Sequence, residues 1–329
     1  MGKATLEVIQ PGIFTTIQDL GRRGYFASGI PPSGAMDRFA LRMGNLLVKN
    51  PLEEAGIEMT AMGIEVRVLE DTVIALTGAC FDANLNGNPV RHWQTLEVHK
   101  GDMLSLAKPT TGWRGYLCVA GGIEVPHVLG SKSTYTLGGL GGVRGRVLKK
   151  GDVLEVGPPR APLGSLGCRK VKEAVVPKAG AQKELRVVLG PQDDHVKEES
   201  IEVFLNSPYR VSINSNRVGY RFEGPQLFFK EREKSQDAGA DPSNIVDDGN
   251  AIGAIQIPGG TEPICLGPDG VTMGGYVKLA CLITADMDRM AQLRLRDYVR
   301  FQNVTVDEAR SILEQSVRSV KEENILSHS

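Results

Sequence analysis

Four glycine-rich segments of the sequence carry basic and hydroxyl residues at spacings that could bind a small anion. They are 18–25 (QDLGRRGY), 131–146 (SKSTYTLGGLGGVRGR), 215–225 (SNRVGYRFEGP) and 267–280 (GPDGVTMGGYVKLA). Glycine lets a ligand approach the main chain, and consecutive N–H groups can form an anion-binding nest. Arginine adds a two-pronged contact to carboxylate or phosphate, and lysine adds a point charge. The segments therefore predict an anionic ligand, with solvent-facing turns as the alternative interpretation.

Each segment contributes side chains or N–H groups that are candidates for contact with this ligand. They are Arg22, Ser133, Thr134, Tyr135, Arg144, Arg217, Tyr220, Glu223, Asp269, Gly274, Gly275, Tyr276 and Lys278. Asp37 is a further candidate, because SGAMDRF (33–39) places it in the first turn of a predicted helix. A carboxylate there interacts favourably with the helix dipole, or it holds a cation or acts as a general base.

Several well-known catalytic and binding patterns do not occur in the sequence. It contains no Walker A motif, no G-x-G-x-x-G, no G-x-S-x-G, no H-E-x-x-H and no two-aspartate calcium loop. None of the five histidines lies within four residues of another, and the five cysteines form no C-x-x-C pair. We therefore predict no metal site and no dinucleotide or serine-nucleophile chemistry, and we interpret the cysteines mainly as small buried side chains.

The 329-residue chain has an ordinary globular composition, with 41% apolar and 23% charged residues. Its formal net charge of −1 argues against a nucleic-acid or anionic-membrane surface. It contains no apolar run of about 18 or more residues, and its first residues, MGKATLEVIQPGIF, lack the apolar core of a signal peptide. We therefore expect a cytoplasmic protein that contacts neither membrane nor nucleic acid.

Short apolar or alternating runs separated by glycine turns predict a mainly β protein. Such runs occur at 6–9, 64–69, 72–76, 96–98, 103–106, 116–120, 153–156, 185–189, 252–257 and 299–302. Helical spacing of apolar residues occurs in 33–50, 191–207 and 305–324, and the last of these begins with a capping box, Thr305 to Glu308. The pattern is typical of a β-barrel or sandwich with few helices.

The sequence also contains a weak internal repeat. Residues 116–156 are echoed by 263–301, in the same order of strand, paired glycines, turn and strand. Between the copies, 158–184 is rich in Pro, Gly and Lys and has little periodicity. We therefore predict two related β-rich halves and a linker, with boundaries at 1–158, 159–184 (the linker) and 185–329, the last carrying the terminal helix.

A series of motifs in a fixed order resembles one known family. They run from about residue 6 to residue 302 and include VIQPGIFTTIQDLGRRGY, GIPPSGAMD, AGGIEVPHVLGSKSTY, LGPQDDH, SNRVGYRFEGP and TMGGYVKLACLITADMDRMAQL. Together they resemble the family that includes the C subunit of 5-oxoprolinase, also called the Kip antagonist, allophanate hydrolase subunit 2 or biotin-dependent carboxyltransferase family. This resemblance implies two cyclophilin-like β-barrel halves with a few short helices.

The resemblance also implies partners and chemistry. Members act with a smaller B subunit of the Kip-inhibitor type, and the two are thought to use ATP with Mg²⁺ to phosphorylate the amide oxygen of 5-oxoproline. The A subunit then completes ring opening to glutamate, and homodimerisation of the complex is a further expectation. Relatives fused into urea carboxylase instead transfer a carboxyl group from carboxybiotin to urea, so biotin is the cofactor of this alternative. A third alternative is a regulatory protein that binds a Kip-type kinase inhibitor.

Under the 5-oxoprolinase hypothesis, the candidate residues receive roles. Positive charge for the moving phosphoryl group comes from Lys278, Arg217 and Arg22, and the N–H groups of Gly274 and Gly275 contact the anion. Tyr276 and Tyr220 line the pocket, and Asp37 holds a cation or an amide N–H. The sequence departs from the family pattern in these loops, with Lys132 in place of an arginine and Met273 in place of a threonine.

Overall fold

A computed structural model describes residues 2–178, 183–231, 239 and 241–327 of the chain. The chain divides into two compact units, each made of more than one segment. Unit 1 consists of Met1–Arg23, Ser33–Ala179 and Ser316–Ser329, and unit 2 consists of Gly24–Pro32 and Gly180–Gln315. The division therefore falls inside the predicted linker, but each half of the chain also gives one short segment to the other unit.

Unit 1 contains a twelve-stranded sheet. Its strands are β1 (Lys3–Gln10), β2 (Phe14–Gln18), β3 (Gly56–Thr60), β4 (Glu65–Val68), β5 (Thr72–Leu85), β6 (Asn88–Pro89), β7 (Gln94–Val98), β8 (Met103–Val119), β9 (Ile123–Glu124), β10 (Val153–Val156), β11 (Arg169–Val171) and β21 (Ile325–Ser327). The main path has the order β21-β11-β7-β5-β8-β4-β1-β10-β9, and β2, β3 and β6 attach beside it. Each run predicted as a strand in the first half overlaps one of these strands, so the mainly β prediction is confirmed.

The two longest strands, β5 and β8, organise the core of unit 1. They pair antiparallel over most of their length, and their buried side chains are mostly aliphatic, which suits a pleated surface. Gly78, at φ 78°, interrupts β5, and a Cβ at this position would lie 2.5 Å from the Arg114 carbonyl oxygen. Glycine allows this close approach, and the ladder shifts its register at the same point.

Helix α1 (Arg38–Leu47) packs against β5 and β8, and Asp37 is its N-cap. Asp37 Oδ1 accepts a hydrogen bond of 2.8 Å from Ala40 N, which satisfies one of the helix's free N–H groups. At the other end of the helix, Arg169 donates to the carbonyl oxygens of Leu46 (3.0 Å) and Leu47 (2.7 Å). Both ends of the predicted first helix are therefore held by side chains.

Arg169 also corrects the prediction of a linker over 159–184. It begins β11, which pairs with β7 and β21, and its guanidinium lies 2.7 Å from the carboxylate of Glu322. A three-residue strand between turns is too short to leave a periodic pattern, which is why the sequence suggests a linker here. The described part of this segment up to residue 178 belongs to unit 1, and residues 179–182 lie outside the described residues.

Unit 2 contains a closed seven-stranded barrel and a separate two-stranded sheet. Its strands are β12 (Glu184–Leu189), β13 (Tyr209–Val211), β14 (Gly219–Glu223), β15 (Asn244–Gly249), β16 (Ala254–Gln256), β17 (Ile264–Leu266), β18 (Met273–Tyr276), β19 (Lys278–Leu282) and β20 (Tyr298–Asn303). The barrel order is β12-β19-β16-β17-β14-β13-β20, and a parallel pairing of β12 with β20 closes it. The antiparallel pair β15 and β18, here called the ribbon, forms the second sheet.

Three further helices lie in the second half of the chain, α2 (Glu198–Asn206), α3 (Met287–Ala291) and α4 (Val306–Ser319). Phe204 of α2 stacks on Phe301 of β20 with ring centroids 4.4 Å apart, so α2 packs against β20. The predicted capping box of α4 is confirmed by reciprocal bonds between Thr305 and Glu308. The sequence does not predict α3, because five residues are too few for a helical period. No helix among the described residues has the length and apolar character needed to cross a membrane.

Candidate functional site

In unit 1, the hydroxyl residues of the predicted loop 131–146 are held by a buried carboxylate. Asp19 Oδ1 accepts hydrogen bonds from Ser131 Oγ (2.7 Å), from Gly21 N (2.7 Å) and from Ser133 Oγ. Asp19 Oδ2 accepts one from Lys132 N at 2.6 Å. The side chains of Asp19, Ser131, Lys132 and Ser133 are all buried. Asp19 lies in the predicted segment 18–25 but is not among the candidates, and it organises the loop by accepting these hydrogen bonds, one of them from Ser133.

The other first-half candidates have different surroundings. Arg22 is 1% exposed and donates to the Ser133 carbonyl oxygen. Thr134 Oγ1 donates to the Ile17 carbonyl oxygen at 3.0 Å, and Tyr135 is half-buried in a short bridge. Arg144 alone among these candidates is exposed, where it borders a cleft. Arg22 and Thr134 are therefore joined to the interior of unit 1, and Arg144 has solvent access.

Asp37 lies in a segment whose N–H groups are already occupied. The four consecutive N–H groups of residues 34–37 donate to Gln18 Oε1, Asp19 O, Glu58 Oε2 and Tyr116 Oη. Tyr116 in turn donates to Glu58 Oε2 at 2.6 Å, and burial, with the negative charge of Glu58, raises the pKa of Tyr116. Asp37 is itself only 4% exposed. The helix cap is one contact of its carboxylate, which agrees with the simpler of the two interpretations.

In unit 2, Arg217 and Asp269 form a buried two-pronged ion pair. Arg217 Nε lies 2.8 Å from Asp269 Oδ2, and an Nη lies 3.0 Å from Oδ1. The two side chains are 5% and 4% exposed. Gly267 permits this packing, because a Cβ there would lie 2.2 Å from the Arg217 carbonyl oxygen. The pair joins the predicted segments 215–225 and 267–280, and it occupies the guanidinium edge that an anion would need.

Two other candidates of unit 2 lie in the wall of the barrel. Tyr220 of β14 is 1% exposed, and its hydroxyl donates to the Leu293 carbonyl oxygen at 3.4 Å. Glu223, at the end of the same strand, pairs with Arg210 across the ladder at 2.8 Å. Tyr220 is therefore a core residue, and Glu223 is a partly exposed strand residue with a cation of its own.

Lys278 is a buried cation that faces a half-exposed anion. Its Nζ lies 3.0 Å from Asp248 Oδ2, and the side chains are 2% and 52% exposed. A hydrogen bond with Lys278 is the first cause that lowers the pKa of Asp248, followed by one from Gly249 N. Lys278 belongs to the barrel strand β19, and Asp248 belongs to the ribbon strand β15. The ribbon therefore brings a carboxylate over the buried ammonium of the predicted site.

Two buried amide side chains complete this cluster. Gln256 of β16 is the cross-strand neighbour of Lys278, and its Nε2 donates to Asn250 Oδ1 at 3.0 Å. Asn250 is 1% exposed and Gln256 is 4% exposed. Gln192 adds a more distant contact, with its Nε2 3.4 Å from Asp248 Oδ2.

The predicted Gly-Gly-Tyr element is a strand of the ribbon and not a turn. Gly274 stands opposite Asp248, and Tyr276 stands opposite Asn244. Gly274 and Gly275 therefore contribute to a β ladder, and neither has the positive φ that a nest of N–H groups uses. A Cβ on Gly274 would lie 3.0 Å from both Asn250 Nδ2 and Gln256 Nε2. The missing side chain of Gly274 thus makes room for the two amides, and Tyr276 remains 42% exposed at the edge.

We call the cluster of Asp248, Asn250, Gln256, Gly274 and Lys278 the ribbon site. The glycine and the lysine of this set are predicted from the sequence, and the other three are not. For Asp248 and Asn250, the only local sequence signal is the polar run Asp247 to Asn250. This run looks like an ordinary turn, so it does not indicate a site. Among the described residues, no three His, Cys, Asp or Glu side chains converge in a way that could hold a metal ion. The chemistry of the ribbon site is that of an ammonium donor beside carboxylate and amide acceptors.

Comparison with known proteins gives a consistent family. Residues 28–303 match the family described as "Carboxyltransferase domain, subdomain A and B". The chain is 37% identical over 304 residues to the 5-oxoprolinase C subunit of Escherichia coli, covering 92% of this chain and 93% of that protein. It is 38% identical over 323 residues to urea amidolyase of Saccharomyces cerevisiae, covering 96% of this chain but only 17% of that protein. The chain thus spans less than a fifth of that relative's length.

A solved structure agrees with these sequence matches. The crystal structure of the K. lactis urea amidolyase superimposes with a TM-score of 0.91 at 34% sequence identity. The match covers 100% of this chain and 21% of that chain. The whole fold described above therefore recurs as one part of a much longer enzyme.

Proposed function

The chain belongs to the carboxyltransferase subdomain A and B family, and from this membership we propose that it acts as the C subunit of an ATP-dependent 5-oxoprolinase. The similarity to the E. coli C subunit, which extends over nearly the full length of both chains, supports this choice. In this proposal the chain is one component of an enzyme complex that activates a small cyclic amide.

The observation that carries the proposal is the pairing of donors and acceptors in the ribbon site. A secondary amide presents a carbonyl oxygen that accepts a hydrogen bond and an N–H that donates one. The ammonium of Lys278 can donate to the carbonyl oxygen, and Gln256 Oε1 or the Asp248 carboxylate can accept from the N–H. Lys278 is buried, so its charge acts with little screening by water on negative charge that develops at the amide oxygen.

ATP with Mg²⁺ enters this proposal as the co-substrate. Transfer of the γ-phosphoryl group to the amide oxygen forms an O-phosphorylated imidate, with ADP leaving and the N–H proton released. Of the three basic residues predicted to assist, Arg217 has a buried partner in Asp269 and Arg22 donates to the Ser133 carbonyl oxygen. We assign the role to Lys278, because its partner Asp248 is half-exposed and can be reached by a ligand. The described residues contain no three-carboxylate group for a metal, and we assign no step to Mg²⁺.

The proposal includes partners. A Kip-inhibitor-like B subunit would share the phosphorylation step, and the A subunit would complete ring opening to glutamate. The name of the E. coli relative, which describes it as one lettered subunit of 5-oxoprolinase, supports a complex of several chains. Homodimerisation of the complex is part of the same proposal.

ATP turnover by the complex co-purified with the B subunit tests the proposed function. We expect 5-oxoproline to stimulate ADP release, and we expect Lys278→Ala to abolish that stimulation. Lys170→Ala, at an exposed position of β11, is the matched control and should behave as the wild type. A Lys278→Ala complex with wild-type turnover in the presence of 5-oxoproline would remove Lys278 from the proposal.

The second candidate function is a biotin-dependent carboxyltransferase acting on urea or a related amide. The TM-score of 0.91 with a urea amidolyase favours it, and its acceptor would need the same donors and acceptors in the ribbon site. Consumption of added carboxybiotin, without ATP, would support this candidate.

Tight binding of the B subunit without turnover of any lactam, ATP or carboxybiotin would instead support the third candidate, a regulatory protein that binds a Kip-type kinase inhibitor.

A further inference from the structure

Unit 1 contains a cleft of about 420 Å³ that is separate from the ribbon site. One wall is the glycine-rich loop from Gly139 to Gly145, and the other is formed by β9 and β10. The lining includes an apolar part, here called the apolar base, of which Val128, Val143 and Leu154 are members. A volume of this size accommodates a small organic molecule. One wall carries hydrogen-bond donors and a basic side chain, and the other carries two carboxylates.

The loop wall offers donors for an anion. The N–H groups of Gly141, Val143 and Arg144 have no acceptor within the part of the chain that the structure describes. Gly141, Gly142 and Arg144 have left-handed φ angles of 66°, 52° and 56°, and left-handed residues are a component of anion-binding nests. The guanidinium of Arg144 is exposed at the same wall. Together they form a donor set suited to a carboxylate.

The opposite wall offers acceptors for a cation. Glu124 of β9 stands directly opposite Glu155 of β10, and both line the cleft. Like charges in directly opposed positions of an antiparallel pair repel each other. Lys132 Nζ lies 3.7 Å from Glu124, but it is closer to Glu54, at 2.8 Å, and to a backbone carbonyl. Glu155 has no basic partner among the described residues, so this pair of carboxylates lacks a full counter-charge.

We propose that this cleft binds a free α-amino acid. The carboxylate of the ligand contacts the N–H groups of the loop and Arg144, and its ammonium lies between Glu124 and Glu155. The side chain of the ligand packs against the apolar base. This ligand offers a cation to the glutamates and an anion to Arg144 at once, whereas a simple anion would face two glutamates and a simple cation would face Arg144. The inference uses no residue of the ribbon site, so it does not depend on the proposed function.

Isothermal titration of the full chain with a panel of single free L-α-amino acids tests the proposal. At least one should bind, and its N-acetyl derivative and its α-amide should each bind at least about tenfold more weakly, since each lacks one charge. Glu155→Gln and Arg144→Ala should weaken binding by a similar factor. Glu173→Gln and Arg160→Ala alter exposed residues outside the cleft and should leave binding unchanged.

Three results would overturn the proposal. One is the absence of binding by every amino acid in the panel to a chain whose circular dichroism is native. Another is equal binding of the free, acetylated and amidated forms. The third is equal binding by the cleft variants and their controls, which would place the ligand elsewhere. Glu155 and Arg144 are both exposed, so their replacement tests the cleft with little risk to folding.

Discussion

The ammonium of Lys278 lies 3.0 Å from the carboxylate of Asp248, and the two residues come from different sheets of unit 2. Lys278 belongs to the closed barrel, while Asp248 belongs to the ribbon, so the ion pair forms only when the ribbon covers this face of β19. The lysine is almost fully buried and the aspartate is half-exposed. A ligand that reaches Asp248 from solvent therefore meets a preformed donor behind it.

Replacement of Lys278 should affect activity more than folding if the ribbon site holds the amide. We expect Lys278→Ala to lower kcat by about 10²- to 10³-fold, the range found when a donor to a developing oxyanion is lost. Lys278→Arg should recover little, because a planar guanidinium does not fit the space of a buried ammonium. Steady-state kinetics of the co-purified complex would measure both. A loss of stability without a selective fall in kcat would indicate a structural role only.

Gly274→Ala should disturb the two amides of the ribbon site. The added methyl group would lie 3.0 Å from Asn250 Nδ2 and Gln256 Nε2, so both side chains must shift. We expect KM for the amide substrate to rise while the thermal midpoint changes little, because the contacts are at the ends of flexible side chains. Gly249→Ala, in the other ribbon strand and with no atom within 4 Å of the added Cβ, is the matched control. Equal kinetics of the two variants would argue against this role of Gly274.

The Arg217–Asp269 pair should contribute to stability. Arg217→Met leaves a buried carboxylate without its partner and should lower the free energy of unfolding by about 3–5 kcal/mol. The double variant Arg217→Met with Asp269→Leu removes both charges and should be more stable than the single variant. Urea denaturation of the wild type, the single variant and the double variant would measure these differences. If Arg217→Met retains full stability and loses activity, the catalytic role predicted from the sequence gains support instead.

Two variants of Asp37 can distinguish its role as a helix cap from a role of its negative charge. Asp37→Asn retains a side-chain oxygen that can accept from Ala40 N, whereas Asp37→Ala removes it. We expect the alanine variant to lose about 1 kcal/mol of stability and the asparagine variant to lose much less. Activity of Asp37→Asn close to that of the wild type would leave the cap as the role of Asp37. A large fall in kcat for this stable variant would support the general-base or cation-holding alternative.

His92 should make stability depend on pH. Burial lowers the pKa of His92 from 6.5 to about 4, and its Nε2 accepts a hydrogen bond of 3.1 Å from Phe81 N. Between these two pH values the unfolded chain binds a proton that the folded chain does not, so stability should fall as pH drops from 6.5 to 4, by up to roughly 3 kcal/mol. His92→Gln keeps an acceptor and should remove this slope from denaturation curves. If the pH dependence of stability is unchanged in His92→Gln, other titrating groups cause it.

The local features of the fold could be predicted from the sequence because they depend on neighbours along the chain. The first helix follows from its apolar spacing and from Asp37, and the last one follows from Thr305 and Glu308. The strand runs follow from alternating apolar residues between turns, and the mainly β class follows from their number. The linker prediction was wrong for residues 169–171, since pairing with a strand near residue 325 is a long-range contact that composition does not encode.

For the candidate site, the family and the polar segments could be predicted, because both are properties of residue types in order along the chain. Tertiary structure decided which charged groups are free to act. Arg217 and Lys278 are both cations in the sequence, yet both carboxylate oxygens of Asp269 contact one edge of the Arg217 guanidinium, while Lys278 faces a single half-exposed carboxylate. Which cation a ligand can reach depends on strand register and burial. These set the distance between charges that lie 30 and 52 residues apart in the chain. Only the folded barrel and its ribbon bring those charges together.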